Sequence, residues 1–230
     1  MAAQRICWIG AAIAAVVLGG ACSSFETRGF ATGQAKAAQP RQVPHIHHAT
    51  WKKLQDVQKL IVSKRYGEGR TELESLLSRS DRYNRNEVAQ MHRLLAYVHW
   101  QLDQPTKSIE QHEKVLEQAP FISVEAESMT HRTLASLHVD RAQAHAGEQR
   151  TDSYRRALSA MNSHMALAED PDPSAYYVLA QVHYQLADYE AGIESVETAI
   201  RLAGKRDIPV KEAWTRLLDY MRSSVDAGAA

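Results

Sequence analysis

Three nine-residue segments of the chain repeat the same arrangement of side chains, and this repetition constrains the fold more than any other feature. The segments are HRLLAYVHW (92–100), HRTLASLHV (131–139) and YYVLAQVHY (176–184). Each has Leu-Ala near its middle and a histidine three residues after the alanine. A second segment follows each of them: PTKSIEQHEKVLEQAP (105–120), YRRALSAMNSHMALAEDP (154–171) and YEAGIESVETAIRLAG (189–204). Repeats of this length predict stacked units, because one unit cannot bury its apolar face alone.

The order of residues within each unit resembles the tetratricopeptide repeat, which reads W-x₂-L-G-x₂-Y, then A-x₃-F, then P over about 34 residues. The Leu-Gly pair of that pattern falls on Leu95-Ala96, Leu134-Ala135 and Leu179-Ala180. The A-x₃-F pair falls on Ser108/His112, Ala157/Met161 and Gly192/Val196, with Pro120 as a closing proline. Small residues at these positions let two helices approach closely. The resemblance implies an all-α fold, a right-handed solenoid of antiparallel helix pairs.

The two ends of the array also have helical patterns. A degenerate unit precedes the three repeats, with predicted helices around Val57 and Leu73. After the last repeat, PVKEAWTRLLDYMRSS (209–224) predicts one amphipathic helix that covers the apolar end of the solenoid. We therefore expect about four repeats and a C-terminal capping helix. The extra segment DRAQAHAGEQRTD (140–152) predicts longer helices or a long turn near Gly147.

The first residues are typical of an export leader. Arg5 precedes the apolar run ICWIGAAIAAVVLGGA (6–21), and no charged residue follows until Glu26. Cys22 comes directly after LGGA, which resembles the lipobox of bacterial lipoproteins. That resemblance implies an acylated Cys22 as the mature N-terminus, and Ser23 resembles the signal for delivery to the outer membrane of Gram-negative cells.

Two other interpretations of the leader remain open. An ordinary signal peptidase could cleave after Ala21, because Gly19 and Ala21 are both small. Alternatively, residues 6–25 could be retained as an anchor, since these 20 uncharged positions are just long enough to span a bilayer.

Domain boundaries follow from these patterns. Residues 23–48 show no helical or strand period, and we expect a flexible tether there. The predicted organisation is a signal peptide over 1–21, a lipidated N-terminus and tether over 22–48, the repeat domain over 49–224 and a disordered tail over 225–230.

Composition excludes several functions. Cys7 and Cys22 are the only cysteines, so the mature domain has no thiol for catalysis or thiolate metal binding. Lys+Arg and Asp+Glu both total 27, which gives no basic excess for nucleic acid. No phosphate loop, nucleophile elbow or zinc-protease motif is present. We expect no enzyme activity and no cofactor.

The histidines offer a competing function. His99, His138 and His183 occupy the Tyr position of the pattern, while His92 and His131 occupy its Trp position. They could form a metal or acid–base array, which would make the chain a metal-binding or enzyme-accessory protein. Residues seven apart on a helix are separated by about 10.5 Å along its axis, too far to share one zinc. We therefore interpret them as rings that fill the seam between helices. The tract at His45, His47 and His48 is interpreted as part of the linker rather than a weak metal site.

The first helix of each tetratricopeptide unit lines a concave groove, and the resemblance transfers this role to a mixed set of aromatic, arginine and amide side chains. The predicted groove residues are Arg93, Tyr97, Trp100, Gln101, Arg132, Ser136, Asp140, Tyr177, Gln181, Tyr184 and Gln185. Such groups bind peptides by stacking, bidentate pairing and backbone hydrogen bonds. Alternatively, they pack on the C-terminal helix or cover the surface.

The region from 66 to 218 resembles the periplasmic tetratricopeptide protein encoded with TonB-type energy-transduction systems. The most specific part is AYYVLAQVHYQLADYEAGI followed by the helix with PVKEAW. The resemblance implies an exported adaptor that binds another envelope protein or peptide, as an accessory to nutrient uptake or envelope assembly.

Overall fold

The computed structural model describes residues 41–228, and within them it contains nine α-helices, one short 3₁₀ turn and no strand. The helices are α1 (His48–Val62), α2 (Tyr66–Leu77), α3 (Arg85–Gln101), α4 (Pro105–Leu116), α5 (Val124–Gln143), α6 (Gly147–Leu167), α7 (Pro173–Gln185), α8 (Tyr189–Lys205) and α9 (Glu212–Gly228). The 3₁₀ turn spans Ser80–Arg82. Eight of these helices form four consecutive pairs, and α9 packs on α8 and α7. The predicted all-α solenoid with a C-terminal capping helix is confirmed.

Three of the four pairs use the same turn between their helices. Lys64, Asp103 and Ala187 have positive φ angles of 58°, 58° and 59°, respectively. In each case the next N–H donates to a carbonyl five residues earlier, at 2.8 to 3.0 Å. A left-handed residue with this hydrogen bond is a common way to end a helix, because it satisfies a carbonyl that the helix leaves without a donor. The repeated turn gives these three pairs the same connection between their helices.

The third pair differs from the others in its length. Its helices α5 and α6 have 20 and 21 residues, and only Ala144–Ala146 lie between them. Gly147 begins α6 with φ of 58°, a conformation that glycine adopts without strain. The extra residues predicted after Asp140 therefore lengthen the two helices.

The core continues along the stack rather than forming one centre. One cluster joins α1, α2 and α3 around Val57, Leu73 and Met91. A second joins α4 to α7, and a third joins α7, α8 and α9. In the third cluster Trp214 and Met221 are fully buried, at 2% and 0% exposure, so α9 covers the end of the solenoid as the sequence predicts.

Residues 41–47 form an extended segment, here called the strap, that packs against α3 and α5. The Arg41 guanidinium forms an ion pair with Glu127 and lies 3.4 Å from the carbonyl oxygen of Ile122. The backbone carbonyls of Pro44 and His45 each accept a hydrogen bond of 2.8 Å from an asparagine at the start of α3. The tether predicted up to residue 48 was wrong for this part, because its backbone carbonyls are bound. The tail predicted from 225 was also wrong up to 228, since α9 continues to Gly228.

Within residues 41–228, no helix combines the length and the apolar character needed to cross a membrane. The predicted signal peptide, Cys22 and most of the predicted tether lie outside the described residues.

Candidate functional site: the face of the first helices

The first helix of each pair places the predicted groove residues at equivalent positions. Arg93 in α3 and Arg132 in α5 both follow a Trp-position histidine by one residue, so the two arginines are structural counterparts. They differ in what surrounds them.

The Arg132 guanidinium is bound by two side chains of the same protein. Its guanidinium donates to the carboxylate of Asp172 at 2.6 Å and to the hydroxyl of Ser174 at 2.9 Å, both at the start of α7. Burial raises the pKa of Asp172, but the hydrogen bonds from Ser174 and Arg132 outweigh it, and the net pKa lies below its ordinary value. Arg132, predicted to pair with a partner, instead joins α5 to α7.

Arg93 has no such neighbour. Its guanidinium donates to the side-chain oxygen of Gln90, and no carboxylate among residues 41–228 forms an ion pair with it. Burial lowers the pKa of the Arg93 guanidinium. His112 is also buried, and burial together with the charge of Arg93 lowers the pKa of His112 to about 4. At neutral pH, Arg93 is therefore a partly buried cation beside a neutral imidazole.

The strap explains why Arg93 pairs with no acid in the described part of the chain. Glu127 holds the same position in its repeat as Asp172 holds in the next, four residues before the Trp position. Glu127 pairs with Arg41 of the strap. Glu127, the counterpart of Asp172, therefore pairs with Arg41 rather than with Arg93.

The rest of α3 separates the predicted groove residues into two groups. Tyr97 and Gln101 follow Arg93 at intervals of four, so the three lie on one stripe of the helix. Tyr97 is partly buried against the first cluster, and Gln101 is exposed. Trp100 packs against the second cluster and contributes mainly to the contact between repeats. We call Arg93, Tyr97 and Gln101 the α3 stripe.

The tyrosines of α7 are largely engaged by α9. Tyr177 stacks on Trp214 with ring centroids 5.4 Å apart, and burial raises the pKa of Tyr177. Tyr184 meets Tyr220 edge-on at 5.3 Å, and the hydrogen bond with Tyr220 raises the pKa of Tyr184. The alternative in which groove residues pack on the C-terminal helix therefore applies to both tyrosines.

The remaining predicted groove residues are Ser136 and Asp140 in α5 and Gln181 and Gln185 in α7. Ser136 donates to the backbone carbonyl of Arg132 at 3.3 Å. Gln185 accepts a hydrogen bond of 2.8 Å from Arg150 of α6. Asp140 and Gln181 are exposed. Met129, which the sequence analysis did not single out, is 46% exposed at the start of α5.

The seam histidines make structural contacts. His99 is 3% exposed and its Nδ1 lies 2.8 Å from the side-chain oxygen of Gln104. His183 makes the equivalent contact with Asp188 at 2.9 Å, again five residues later. In the longer third pair His138 is buried, and its Nδ1 has no partner. Among residues 41–228, no group of three or more potential metal ligands converges.

The histidine tract before α1 belongs to the fold rather than to a linker. His47 donates its backbone N–H to Glu87 at 2.8 Å, and its Nδ1 lies 2.9 Å from the same oxygen. The His48 ring stacks on Trp51 with centroids 5.8 Å apart. His45 is held through its backbone carbonyl by Asn84.

A cleft of about 910 Å³ opens between α2 and α4, with α3 as its floor. Its walls carry both charges, among them Glu74, Asp81, Lys107 and Glu117. His92 in the floor contacts Gln111 at 2.8 Å. The sequence analysis did not predict this cleft, because it depends on the distance between two second helices.

Comparison with known proteins identifies the repeat in one unit. Residues 173–206, which contain α7 and α8, match the family model described as tetratricopeptide repeat. The chain carries a tetratricopeptide repeat. A comparison with curated proteins gives no significant sequence match.

Solved structures with tetratricopeptide-like repeats share the fold of this chain. An RS-1 ArsTM double mutant of MamA is similar with a TM-score of 0.57 and 16% identity, covering 79% of this chain and 88% of that one. A Podosopora anserina protein described as a kinesin light chain with nearly identical TPR-like repeats gives 0.56 and 15%, covering 80% and 90%. Another MamA structure gives 0.53 and 17%, covering 77% and 88%. At these identities the likeness shows a tetratricopeptide-type solenoid.

Proposed function

We propose that this chain is a scaffold that binds another protein or peptide through the α3 stripe. The contrast between Arg93 and Arg132 carries the proposal. The two arginines are counterparts in successive repeats, but Asp172 neutralises Arg132 and no described carboxylate neutralises Arg93. A carboxylate from a partner would form an ion pair with Arg93, as Asp172 does with Arg132.

The chemistry of the stripe specifies the partner's character. An arginine binds a carboxylate with two parallel hydrogen bonds, and such pairs are stronger than hydrogen bonds between neutral groups. One turn further along α3, Tyr97 offers a partly exposed ring, and Gln101 offers an amide that can bind a peptide backbone. The partner that fits is an extended peptide with an acidic side chain or a free C-terminus.

The fold supports this assignment. Solenoids of tetratricopeptide repeats generally present extended concave surfaces to other proteins and are typically not enzymes. The alternative function, a histidine-dependent metal-binding or enzyme-accessory protein, is not favoured. His99 contacts Gln104, His183 contacts Asp188, and no group of three potential metal ligands converges among residues 41–228.

A photo-crosslinking residue placed at Gln101 tests the proposal in cells. We expect it to capture a defined partner, and Arg93→Gln in the same chain should abolish the capture. A crosslinker at the exposed Glu113 of α4 serves as the control. Capture that survives Arg93→Gln, or an identical capture from position 113, would refute the proposal that the partner binds the α3 stripe.

We further propose that the scaffold works in the bacterial envelope. Support comes from the leader and from LGGAC, both outside the described residues. In this proposal Cys22 is acylated, the chain is anchored in the outer membrane facing the periplasm, and its partner is an envelope protein. The resemblance noted above suggests TonB-dependent uptake or envelope assembly as the pathway.

The envelope proposal is tested by labelling cells with palmitate and fractionating them. Wild-type protein should incorporate label and sediment with membranes, whereas Cys22→Ser should do neither. Membrane retention of Cys22→Ser without label would indicate an uncleaved anchor. An unlabelled, soluble wild type of reduced mass would indicate ordinary cleavage after Ala21.

A further inference from the structure

A small basic pocket lies near the start of α1, away from the α3 stripe. It has a volume of about 370 Å³ and lies between the first turns of α1 and the segment that follows α2. The residues that line it are His47, Ala49, Thr50, Lys53, Arg79, Arg82 and Tyr83, and none of them carries a carboxylate.

No acid of the described residues forms an ion pair with the cations of this pocket. Elsewhere in the described residues arginines commonly pair with acids, such as Arg155 with Asp152 and Arg222 with Glu197. None of Lys53, Arg79 and Arg82 forms an ion pair within residues 41–228. Three like charges around one cavity repel one another and attract an anion.

Two acidic residues lie close in sequence to Arg82 and Tyr83, but both lie outside the pocket lining. Asp81 lies between the two arginines in the chain, but it lines the cleft between α2 and α4. Glu87 lies behind His47, is fully buried, and already accepts hydrogen bonds from His47 and Asn84. Neither carboxylate lines the pocket.

The cationic groups come from two separate elements. Arg79 precedes the 3₁₀ turn and Arg82 ends it, and both line the pocket opposite Lys53 of α1. The Lys53 ammonium donates to the Tyr83 hydroxyl at 3.3 Å and lies 5.6 Å from the centre of the Tyr83 ring. These two contacts place the ammonium on the pocket wall.

We propose that this pocket binds a phosphate group. Planar guanidinium groups bind phosphate oxygens with paired hydrogen bonds, and an ammonium adds a compact positive charge. The pocket volume admits a phosphate with a small attached group. The same chemistry recognises a free phosphate or phosphate monoester and the phosphodiester of an anionic lipid headgroup.

Isothermal titration calorimetry on the full chain in a non-ionic detergent tests the pocket with two probes. Inorganic phosphate represents the free anion, and glycerophosphoglycerol represents the headgroup of phosphatidylglycerol. We expect saturable binding of at least one probe, weakened at least tenfold by Arg79→Gln/Arg82→Gln. Lys53→Gln should weaken it less. The matched control is Arg65→Gln/Arg216→Gln, which removes two exposed cations elsewhere.

Each outcome is decisive. Binding of phosphate alone assigns the pocket to a free anion, and binding of the diester assigns it to a lipid headgroup. Absence of saturable binding, or equal weakening by the control pair, overturns the proposal. Urea unfolding of each variant shows that the fold is retained, and Lys53→Gln provides a second reading if the double variant unfolds.

Discussion

The buried carboxylate of Glu87 accepts a hydrogen bond from the backbone N–H of His47 at 2.8 Å and another from the backbone N–H of Asn84 at 2.9 Å. One anion therefore caps the starts of both α1 and α3. Burial raises the pKa of Glu87, but the backbone hydrogen bonds from Asn84 and His47, with side-chain hydrogen bonds from Thr50 and His47, outweigh it. The net pKa of Glu87 is below its ordinary value.

Glu87→Gln should destabilise the fold by about 1 to 3 kcal/mol, because the amide turns an N–H₂ toward donors that need an acceptor. Since the folded-state pKa is lowered, the contribution of Glu87 is complete above its unfolded pKa of about 4.5 and is lost as the pH falls through the folded pKa. Urea unfolding should therefore show a large difference at pH 7 that shrinks in acid. The exposed Glu113→Gln is the control, and an equal effect there would contradict the capping role.

Two buried histidines predict a separate loss of stability in mild acid. Burial, with nearby arginines, lowers the pKa of His112 and of His138 to about 4 from the ordinary 6.5. The unfolded chain therefore binds more protons, and stability is lost as the pH falls from about 6.5 toward 4. His138→Phe should remove about 2 to 3 kcal/mol of this pH dependence, because phenylalanine has no proton to bind. The substitution breaks no hydrogen bond at Nδ1, since that atom has no partner. The exposed His145→Gln is the control, and an equal effect there would contradict the role of burial.

Gly192 is needed where α8 meets α9. A Cβ at this position would lie 2.6 Å from the sulfur of the buried Met221, and 3.4 Å from the Cβ of His183. Gly192→Ala should cost about 1 to 3 kcal/mol and loosen α9, read out as faster amide exchange in that helix. Gly204→Ala in the same helix meets nothing within 4 Å and should be neutral or stabilising by up to about 1 kcal/mol. Similar midpoints for the two variants would argue against the steric explanation.

Arg93 and Arg132 should respond differently to the same substitution. Arg132→Gln breaks the ion pair with Asp172 and should lower the free energy of unfolding by about 1 to 2 kcal/mol. Arg93→Gln removes a partly buried cation that pairs with no acid among residues 41–228, and it should be neutral or slightly stabilising. Chemical denaturation at neutral pH distinguishes the two variants. A larger loss of unfolding free energy in Arg93→Gln than in Arg132→Gln would mean that the role of Arg93 is structural.

Arg41→Gln should weaken partner binding, although it alters no residue of the α3 stripe. Loss of Arg41 frees Glu127, which can then neutralise Arg93 in the way that Asp172 neutralises Arg132. We expect capture from a crosslinker at position 101 to fall several-fold. The double variant Arg41→Gln/Glu127→Gln should restore it, and failure of this rescue would show that the strap acts in some other way.

The sequence predicted most of the architecture because helix pairs of this kind depend on local patterns. Leu95-Ala96 and Leu179-Ala180 recur at fixed spacing, and the same turns follow at Asp103 and Ala187. The role of Trp214, Leu218 and Met221 was readable from one amphipathic face. Each of these features involves residues close together in the chain.

The features that were missed depend on contacts between distant residues. The strap is fixed partly through the carbonyls of Pro44 and His45, which any sequence supplies, so it has no recognisable pattern. Tyr177 was predicted to bind a partner, but in the structure its ring stacks on Trp214 of α9. The different environments of Arg93 and Arg132 arise from Arg41, which is 86 residues from Glu127.

The strap also changes how the array bears load. Repeat solenoids contact only their neighbours, so tension on one end normally peels off the terminal unit first. Here a pull on the chain ahead of residue 41 would act first on the contact between Arg41 and Glu127, and so on α5 in the middle of the stack. The force would bypass α1 and α2, which would keep the first repeats folded until the strap is released.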